Sequence, residues 1–121
     1  MTKREEIHQI QDVVDRISRI RFAEITLIQA ENDNDQEMAA TAFDAILYDL
    51  LVIGEAVRTL SDPIKIRNLT VPWENIAAMR NILAHEYFRV DGQVVRATID
   101  EPLEILRTAC SEELNQSENQ S

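Results

Sequence analysis

The sequence predicts an all-α fold, an up-and-down bundle of four main helices with short helical pieces between them. Three observations support this prediction. The 121 residues suit a single domain, and 45% of them are hydrophobic, which is enough for a packed core. Only 2 Gly and 3 Pro are present, too few for the many turns of an all-β chain. Apolar residues also recur at the three- and four-residue steps typical of amphipathic helices.

The first predicted helix covers about residues 2–31 and the second about residues 36–60. The apolar stripe of the first consists of Ile7, Ile10, Val13, Val14, Ile17, Ile20, Ile25 and Ile28. The polar residues 31–35 favour a turn and an N-cap, so we expect the two helices to pair antiparallel. The second helix is apolar over much of its circumference, which is typical of a central helix or of a helix that shares a second interface. Gly54 in its middle indicates the close approach of another helix, since glycine there costs about 1 kcal/mol relative to alanine.

The later elements are shorter. Residues 64–70 form a connector with about one helical turn, and Pro72 favours a helix start. The third main helix covers residues 73–87, with Trp73 as an anchor at its beginning. A short helix at residues 94–99 precedes the fourth main helix, which begins near residue 100 and carries Cys110 as a small apolar residue. We assign residues 1–115 to one helical domain and residues 116–121 to a polar, frayed C-terminal tail.

Composition limits the possible functions. The net charge is −10, whereas a protein that binds nucleic acid over a wide surface is normally basic. An RNA-directed activity would therefore depend on a local basic cleft. No apolar run approaches the roughly 18 residues that span a membrane, and no signal core is present, so we expect a cytoplasmic protein without membrane association. His8 stands alone among polar residues and is interpreted as a surface residue, so we predict neither a metal site nor a cofactor.

The residues that point to chemistry lie in the segment 79–88, Met-Arg-Asn-Ile-Leu-Ala-His-Glu-Tyr-Phe. On a helix, its inward stripe would consist of Ile76, Met79 and Leu83. Arg80 and Tyr87 would lie on one line beside that stripe, and Asn81 and His85 on a second line. Arg80 and His85 would be roughly 140° apart around the axis. They could converge if the helix distorts near its end, or if two copies face each other across a two-fold axis. We favour the two-fold arrangement as a hypothesis.

These residue types suit RNA cleavage in which the ribose 2′-hydroxyl is the nucleophile, because that reaction needs no metal ion. Histidine titrates near neutral pH, so His85 can act as the base or the acid. Arginine stays charged and binds phosphate through several donors, which suits Arg80. Asn81 can orient the imidazole or the phosphate. Tyr87 offers a hydroxyl beside Arg80 and an aromatic face for a base. The motif alone is more typical of an exposed arginine and a capping or surface histidine than of a catalytic site.

The sequence resembles the HepT-like toxins of the HEPN superfamily. Residues 80–87, Arg-Asn-Ile-Leu-Ala-His-Glu-Tyr, match the Arg-x4-His-x-Tyr motif of that family. The blocks Leu-Val-Ile-Gly-Glu-Ala-Val at 51–57, Leu-Ser at 60–61 and Val-Pro-Trp at 71–73 also resemble its pattern in order and spacing. The clear resemblance covers about residues 48–90.

The resemblance implies a homodimeric, metal-independent endoribonuclease, the toxin of a toxin–antitoxin pair. It implies Arg80, Asn81, His85 and Tyr87 as site residues, with Gly54 and Glu55 in supporting positions. It also implies a minimal nucleotidyltransferase antitoxin that transfers AMP to Tyr87. Glu55 could bind Arg80 or Arg58, or simply be exposed. The alternative function is a non-catalytic helical module that binds a nucleotide or docks a nucleotidyltransferase, and the acidic composition favours it.

Overall fold

The computed structural model describes residues 1–119 of the chain. These residues form helices α1 (Lys3–Asn32), α2 (Gln36–Arg58), α3 (Asp62–Arg67), α4 (Trp73–His85), α5 (Gly92–Ile99) and α6 (Glu101–Asn119), with a 3-10 turn (Tyr87–Arg89) after α4. Within this part of the chain no strand occurs, and α1, α2, α4 and α6 are the four main helices that the sequence predicts. The all-α prediction is thus confirmed.

The connection between α1 and α2 is short and well capped. Asn34 has a φ of 56°, in the left-handed region that asparagine tolerates better than most residues. The carboxylate of Asp35 then accepts a 3.0 Å hydrogen bond from the backbone N–H of Met38 and caps α2. Because so short a turn reverses the chain, α1 and α2 form the antiparallel pair that we expected.

The bundle is arranged around α2 and α1. Helix α2 packs against both α1 and α4, and α1 packs against both α2 and α6. Side chains of all the main helices meet in one core, whose fully enclosed members include Val13, Ile17, Ile20, Ile46, Ile53, Val57, Leu103 and Leu106. The two helical neighbours of α2 give it a central position, one of the two alternatives that its apolar surface predicts.

The second half of α1 departs from the predicted stripe. Ile25 is 68% exposed and Ile28 is 53% exposed, so the prediction that they continue the core face was wrong. Ile25 lies about 140° around the axis from Ile20, whereas Leu27 lies two turns from Ile20 on the same line. Leu27 and Ala23 are the residues that continue the buried face.

A buried ion pair that the sequence did not indicate ties α1 to α2. Asp49 is only 2% exposed, and its Oδ1 accepts a 3.0 Å hydrogen bond from Arg16. The guanidinium of Arg19 also lies 3.5 Å from the same oxygen. Arg16 lies over the ring of Tyr48, with 5.6 Å between Cζ and the ring centroid. The buried carboxylate is therefore compensated by two cations from the neighbouring helix.

Two segments end differently from the prediction. Helix α4 ends at His85, not at residue 87, because Glu86 leaves the helical conformation with φ −135° and ψ 39°. Helix α6 continues to Asn119, into the segment 116–121 that we expected to be a frayed tail. Gln120 and Ser121, the last residues of that segment, lie outside the described residues. The domain boundary at residue 115 stays a prediction.

Candidate active site

Helix α4 carries the motif, and Trp73 fixes its beginning. The indole Nε1–H of Trp73 donates to the backbone carbonyls of Asn68 at 3.0 Å and Lys65 at 3.3 Å, which ties α4 to the end of α3. Ile76, Met79 and Leu83 are all buried, as predicted. The anchoring role predicted for Trp73 and the inward stripe of α4 are both confirmed.

Gly54 lets α4 approach α2 closely at Arg80. A Cβ atom added at Gly54 would lie 2.4 Å from Cβ of Arg80 and 3.4 Å from its Cα. The overlap with Cβ of Arg80 cannot be relieved by a change of rotamer, because the position of a Cβ atom is fixed by its backbone. The close helix approach predicted from Gly54 is thus present, and the residue it positions is the arginine of the motif.

Arg80 is held by Glu55 and Asn81. Its Nε–H donates to Oε2 of Glu55 at 2.7 Å, and Nη1 donates to the side-chain oxygen of Asn81 at 3.1 Å. The Arg80 side chain is 25% exposed, and Nη2 makes none of the hydrogen bonds found among residues 1–119. Two of the guanidinium nitrogens are thus fixed, and the third can donate to a ligand.

Glu55 links two arginines. Its Oε1 accepts a 2.7 Å hydrogen bond from Arg58, while Oε2 binds Arg80. The hydrogen bond from Arg58, and then that from Arg80, lower the pKa of Glu55 below its usual value, against an opposing effect of desolvation. The carboxylate therefore stays ionised and keeps the Arg80 guanidinium oriented at neutral pH.

His85 is the last residue of α4 and is exposed. In the part of the chain that the structure describes, its imidazole takes part in no hydrogen bond or ion pair. Because α4 stays regular up to this residue, His85 lies roughly 140° around the axis from Arg80. The helix distortion that would bring the two side chains together within one copy is not present.

Tyr87 lies in the 3-10 turn after α4, so it does not continue the line of Arg80 as a longer helix would have required. Its hydroxyl donates to Oδ1 of Asp44 on α2 at 3.2 Å. Desolvation, followed by the charge and the hydrogen bond of Asp44, raises the pKa of Tyr87. The ring meets Phe88 edge to face with 6.3 Å between centroids, and Phe88 is fully exposed.

Asp44 is the site residue that the sequence analysis missed. It lies eleven residues before Glu55 on α2, which is about three helical turns. One face of α2 therefore carries both carboxylates that hold motif side chains, Glu55 on Arg80 and Asp44 on Tyr87. The spacing of Asp44 and Glu55 alone would not have identified Asp44, because it becomes informative only once α4 is known to pack on α2.

Cys110 and His8 lie as the sequence indicated. Burial, and then the charge of Glu113, raise the pKa of the Cys110 thiol to about 12. Cys110 therefore stays protonated inside α6 and is a small core residue. His8 is exposed on the first turns of α1.

The helical bundle, with an arginine held on the packed side of α4 and a histidine free at the end of that helix, has the features of a HEPN-type protein. A comparison with known families matches residues 4–113 to the family described as Ribonuclease HepT-like. The chain belongs to this family.

Curated relatives cover a shorter stretch. The chain is 42% identical over 55 residues to "Putative RNase TTE0752" of Caldanaerobacter subterraneus subsp. tengcongensis, which covers 46% of this chain and 49% of that protein. It is 35% identical over 63 residues to "Probable ribonuclease HepT" of Thermococcus cleftensis, covering 52% of this chain and 57% of that protein. The chain thus spans about half the length of the curated relatives it matches. No solved structure shows a significant match.

None of the helices formed by residues 1–119 is both long and apolar enough to cross a membrane.

Proposed function

We propose that this protein is a metal-independent endoribonuclease that acts as a homodimer and serves as the toxin of a toxin–antitoxin pair. The observation that carries the proposal is the state of Arg80. Glu55 and Asn81 fix its guanidinium, while Nη2 stays available to a phosphate. A preorganised cation of this kind stabilises the charge that develops on phosphate in the transition state. The names of the curated relatives support an RNA substrate, and a cytoplasmic site of action is part of the proposal.

The proposed reaction transfers the phosphoryl group of the RNA from the 5′-oxygen to the neighbouring 2′-oxygen. A neutral histidine takes the proton of the ribose 2′-hydroxyl, and the 2′-oxygen forms a bond to phosphorus. The bond from phosphorus to the 5′-oxygen breaks, and a protonated group supplies a proton to that leaving oxygen. The products are a 2′,3′-cyclic phosphate and a 5′-hydroxyl, so atoms and charges balance without a metal ion. His85 takes part in proton transfer, Arg80 binds the phosphate, Asn81 orients Arg80, and Tyr87 contributes to the site.

A second copy would bring His85 to an arginine. Within one copy, His85 and Arg80 lie on different sides of a regular α4. Ala78 is exposed and lies two turns before His85 on the same line of α4, and its small side chain would permit close approach of another helix. Sedimentation of the purified chain should give a dimer at micromolar concentration. If sedimentation showed only monomers, the proposal of a site shared by two copies would be disproved.

The decisive assay compares the wild type with His85→Ala on RNA in the presence of a metal chelator. Intact mass first confirms that both chains are unmodified. Cleavage by the wild type and its loss in His85→Ala, with unchanged circular dichroism, is the expected result. Equal cleavage by both proteins would disprove the role of His85. Absence of cleavage by an unmodified wild-type dimer on a broad RNA panel would favour the alternative binding module, which the net charge of −10 supports.

We also propose a nucleotidyltransferase antitoxin that modifies Tyr87 with AMP. The Tyr87 side chain is 42% exposed, so its hydroxyl is within reach of another protein. The phenol oxygen would attack the α-phosphorus of ATP, pyrophosphate would leave, and the phenol proton would pass to a base. A bulky anion at Tyr87 would then exclude an RNA phosphate. Incubation with ATP and a nucleotidyltransferase encoded nearby should add the mass of one AMP to the wild type and none to Tyr87→Phe. Equal addition to Tyr87→Phe would disprove the assignment.

A further inference from the structure

A groove lies between α1 and α4 above the exposed side of α2. It has a volume of about 880 Å³. Leu51, Val52 and Ala56 of α2 form an apolar floor, His8 lines the α1 wall, and Arg80 lines the α4 wall. The two walls are fixed, because Thr59 donates a 2.9 Å hydrogen bond to Gln9 on one side and Glu55 binds Arg80 on the other.

The histidine that lines this groove is His8, not the histidine of the motif. Ala84 lines the α4 wall, but His85 is the next residue and points about 100° further around the helix. The chain has only 2 histidines. Within one copy, His8 is therefore the only imidazole that faces the same space as Arg80.

We propose that this groove binds a nucleotide of the RNA substrate and that His8 is a further catalytic residue, transferring a proton at the phosphate held by Arg80. The inference rests on the proposed ribonuclease function. Cleavage through the 2′-hydroxyl needs one group that accepts a proton and one that donates a proton, so two proton-transfer groups must lie at the same phosphate. His8 faces the groove that Arg80 lines and can supply one of them, while His85 of a second copy can supply the other. The apolar floor offers a surface on which a base can lie while its phosphate contacts Arg80.

The charges that face His8 come from each helix around the groove. Asp12 lies on its own helix, Glu55 on α2 and Arg80 on α4. Glu55 is bound to both Arg58 and Arg80, so much of its charge is already compensated. Nη2 of Arg80 stays free to bind the phosphate of a nucleotide in the groove.

The first experiment compares RNA cleavage by the wild type and His8→Gln over a range of pH. We expect kcat to fall about 100-fold or more, as is typical when a proton-transfer group is lost. KM should change much less. The wild type should show a rate that falls on both sides of an optimum, and His8→Gln should lose one of these two limbs.

A matched control moves the histidine to a position outside the groove. Gln11 is exposed on the same helix and binds the side chain of Asp15, and it does not line the groove. The double variant His8→Gln with Gln11→His keeps the composition of the chain and should be as slow as His8→Gln. Full activity in this control would show that the position of His8 is irrelevant, and would overturn the inference.

The outcomes separate this inference from the proposed function. If the wild type and His8→Gln cleave RNA equally while His85→Ala does not, His8 is not catalytic and the ribonuclease proposal stands. A rise in KM with both pH limbs retained would also overturn a catalytic role for His8. If the wild type cleaves no RNA, both proposals fail together.

A binding measurement on the wild-type protein tests the groove itself. The 2 histidines give two imidazole resonances, which His8→Gln assigns. Titration of the wild type with a nucleoside 3′-monophosphate should shift the His8 resonance to saturation. An unchanged His8 resonance at saturating nucleotide would show that the groove is not a nucleotide site.

Discussion

At the scale of single residues, the orientation of Arg80 depends on a carboxylate from another helix. Glu55 lies 25 residues earlier in the chain and binds Nε of Arg80 at 2.7 Å. Asn81, the immediate neighbour, fixes Nη1. A mobile arginine side chain would lose conformational entropy when it binds substrate. Because Glu55 and Asn81 order Arg80 beforehand, little of this entropy is lost on binding.

We expect Glu55→Ala to lower kcat for RNA cleavage by about 10- to 100-fold, because Arg80 loses its orientation. Glu55→Gln keeps an acceptor for Nε and should be affected less. Arg58→Ala is the matched control, since it removes the other partner of Glu55 without touching Arg80. Steady-state kinetics of the three variants provide the measurement. A fall in kcat in Arg58→Ala as large as that in Glu55→Ala would contradict the role of Glu55 in orienting Arg80.

Tyr87 provides a second prediction at this scale. Desolvation and the nearby Asp44 carboxylate raise the pKa of its phenol, so the hydroxyl stays protonated to higher pH than usual. Asp44→Asn removes the negative charge and should therefore lower the pKa of Tyr87 towards its ordinary value. Ultraviolet titration in a Tyr48→Phe background would isolate the Tyr87 signal. An unchanged titration in Asp44→Asn would show that Asp44 does not affect the phenol.

At the scale of elements, the contact between α2 and α4 depends on Gly54. Alanine would gain about 1 kcal/mol of helix propensity at this position. Its Cβ, however, would lie 2.4 Å from Cβ of Arg80, and relieving such an overlap costs about 1–3 kcal/mol. The steric effect is the larger one, because Cβ of Arg80 can move away only if the backbone of α4 moves with it.

We therefore expect Gly54→Ala to lower the free energy of unfolding by about 1 kcal/mol and to reduce cleavage by displacing Arg80. Gly92→Ala is the matched control, since the nearest atom to its Cβ would be a ring carbon of Phe43 at an ordinary 3.9 Å. Urea denaturation and cleavage rates of both variants provide the measurement. Equal effects at the two glycines would contradict the close approach at Arg80.

The contact between α1 and α6 is sensitive to pH. Arg21 donates to Glu104 at 2.9 Å and to the carbonyl of Ile99 at 2.5 Å. Hydrogen bonds from Arg107 and then Arg21 lower the pKa of Glu104 from 4.5 to about 2. Since this pKa is lower in the folded state, the ionised carboxylate stabilises the fold above pH 4.5, and this contribution is lost as the pH falls through about 2.

Glu104→Gln should accordingly be less stable than the wild type at neutral pH. The difference should shrink as the pH falls from about 4.5 and vanish below about 2, where the wild-type carboxyl is also neutral. Thermal unfolding followed by circular dichroism at several pH values tests this. A difference in stability that persisted unchanged at the lowest pH would contradict the assignment of the shift to Glu104.

At the scale of the whole molecule, the net charge of −10 opposes the binding of RNA. At about 0.01 M salt the Debye length is roughly 30 Å, so RNA would meet the repulsion of the entire surface. At about 0.1 M it is roughly 10 Å, and only charges near the groove act. The local cation Arg80 would then contact phosphate with less opposition from distant carboxylates.

We predict that kcat/KM for RNA stays level or rises when salt is increased from about 0.01 M to 0.1 M. A ribonuclease that binds through many phosphate contacts would lose affinity steeply over that range. Initial rates at low substrate concentration, with circular dichroism as a control for folding, provide the test. A steep fall with salt would indicate a wide basic contact and contradict binding through a local site.

The sequence by itself determined the helical class, the four main helices, the inward stripe of α4 and the anchoring role of Trp73. Helical periodicity and capping act over a few residues, so they can be read from a short stretch of chain. The end of α4 at His85 was missed because no glycine or proline marks it. The exposure of Ile25 could have been predicted, since its angle around α1 differs from that of the buried isoleucines.

Only the tertiary structure decided how the site is built. Asp44 and Tyr87 are 43 residues apart, Glu55 and Arg80 are 25 apart, and each pair meets because α4 packs on α2. The groove shared by His8 and Arg80 likewise exists because α1 and α4 flank the same helix. Side-chain types and spacing indicate what chemistry a chain can support. The packing of distant helices decides which of those side chains face one another, because it depends on contacts that no short segment contains.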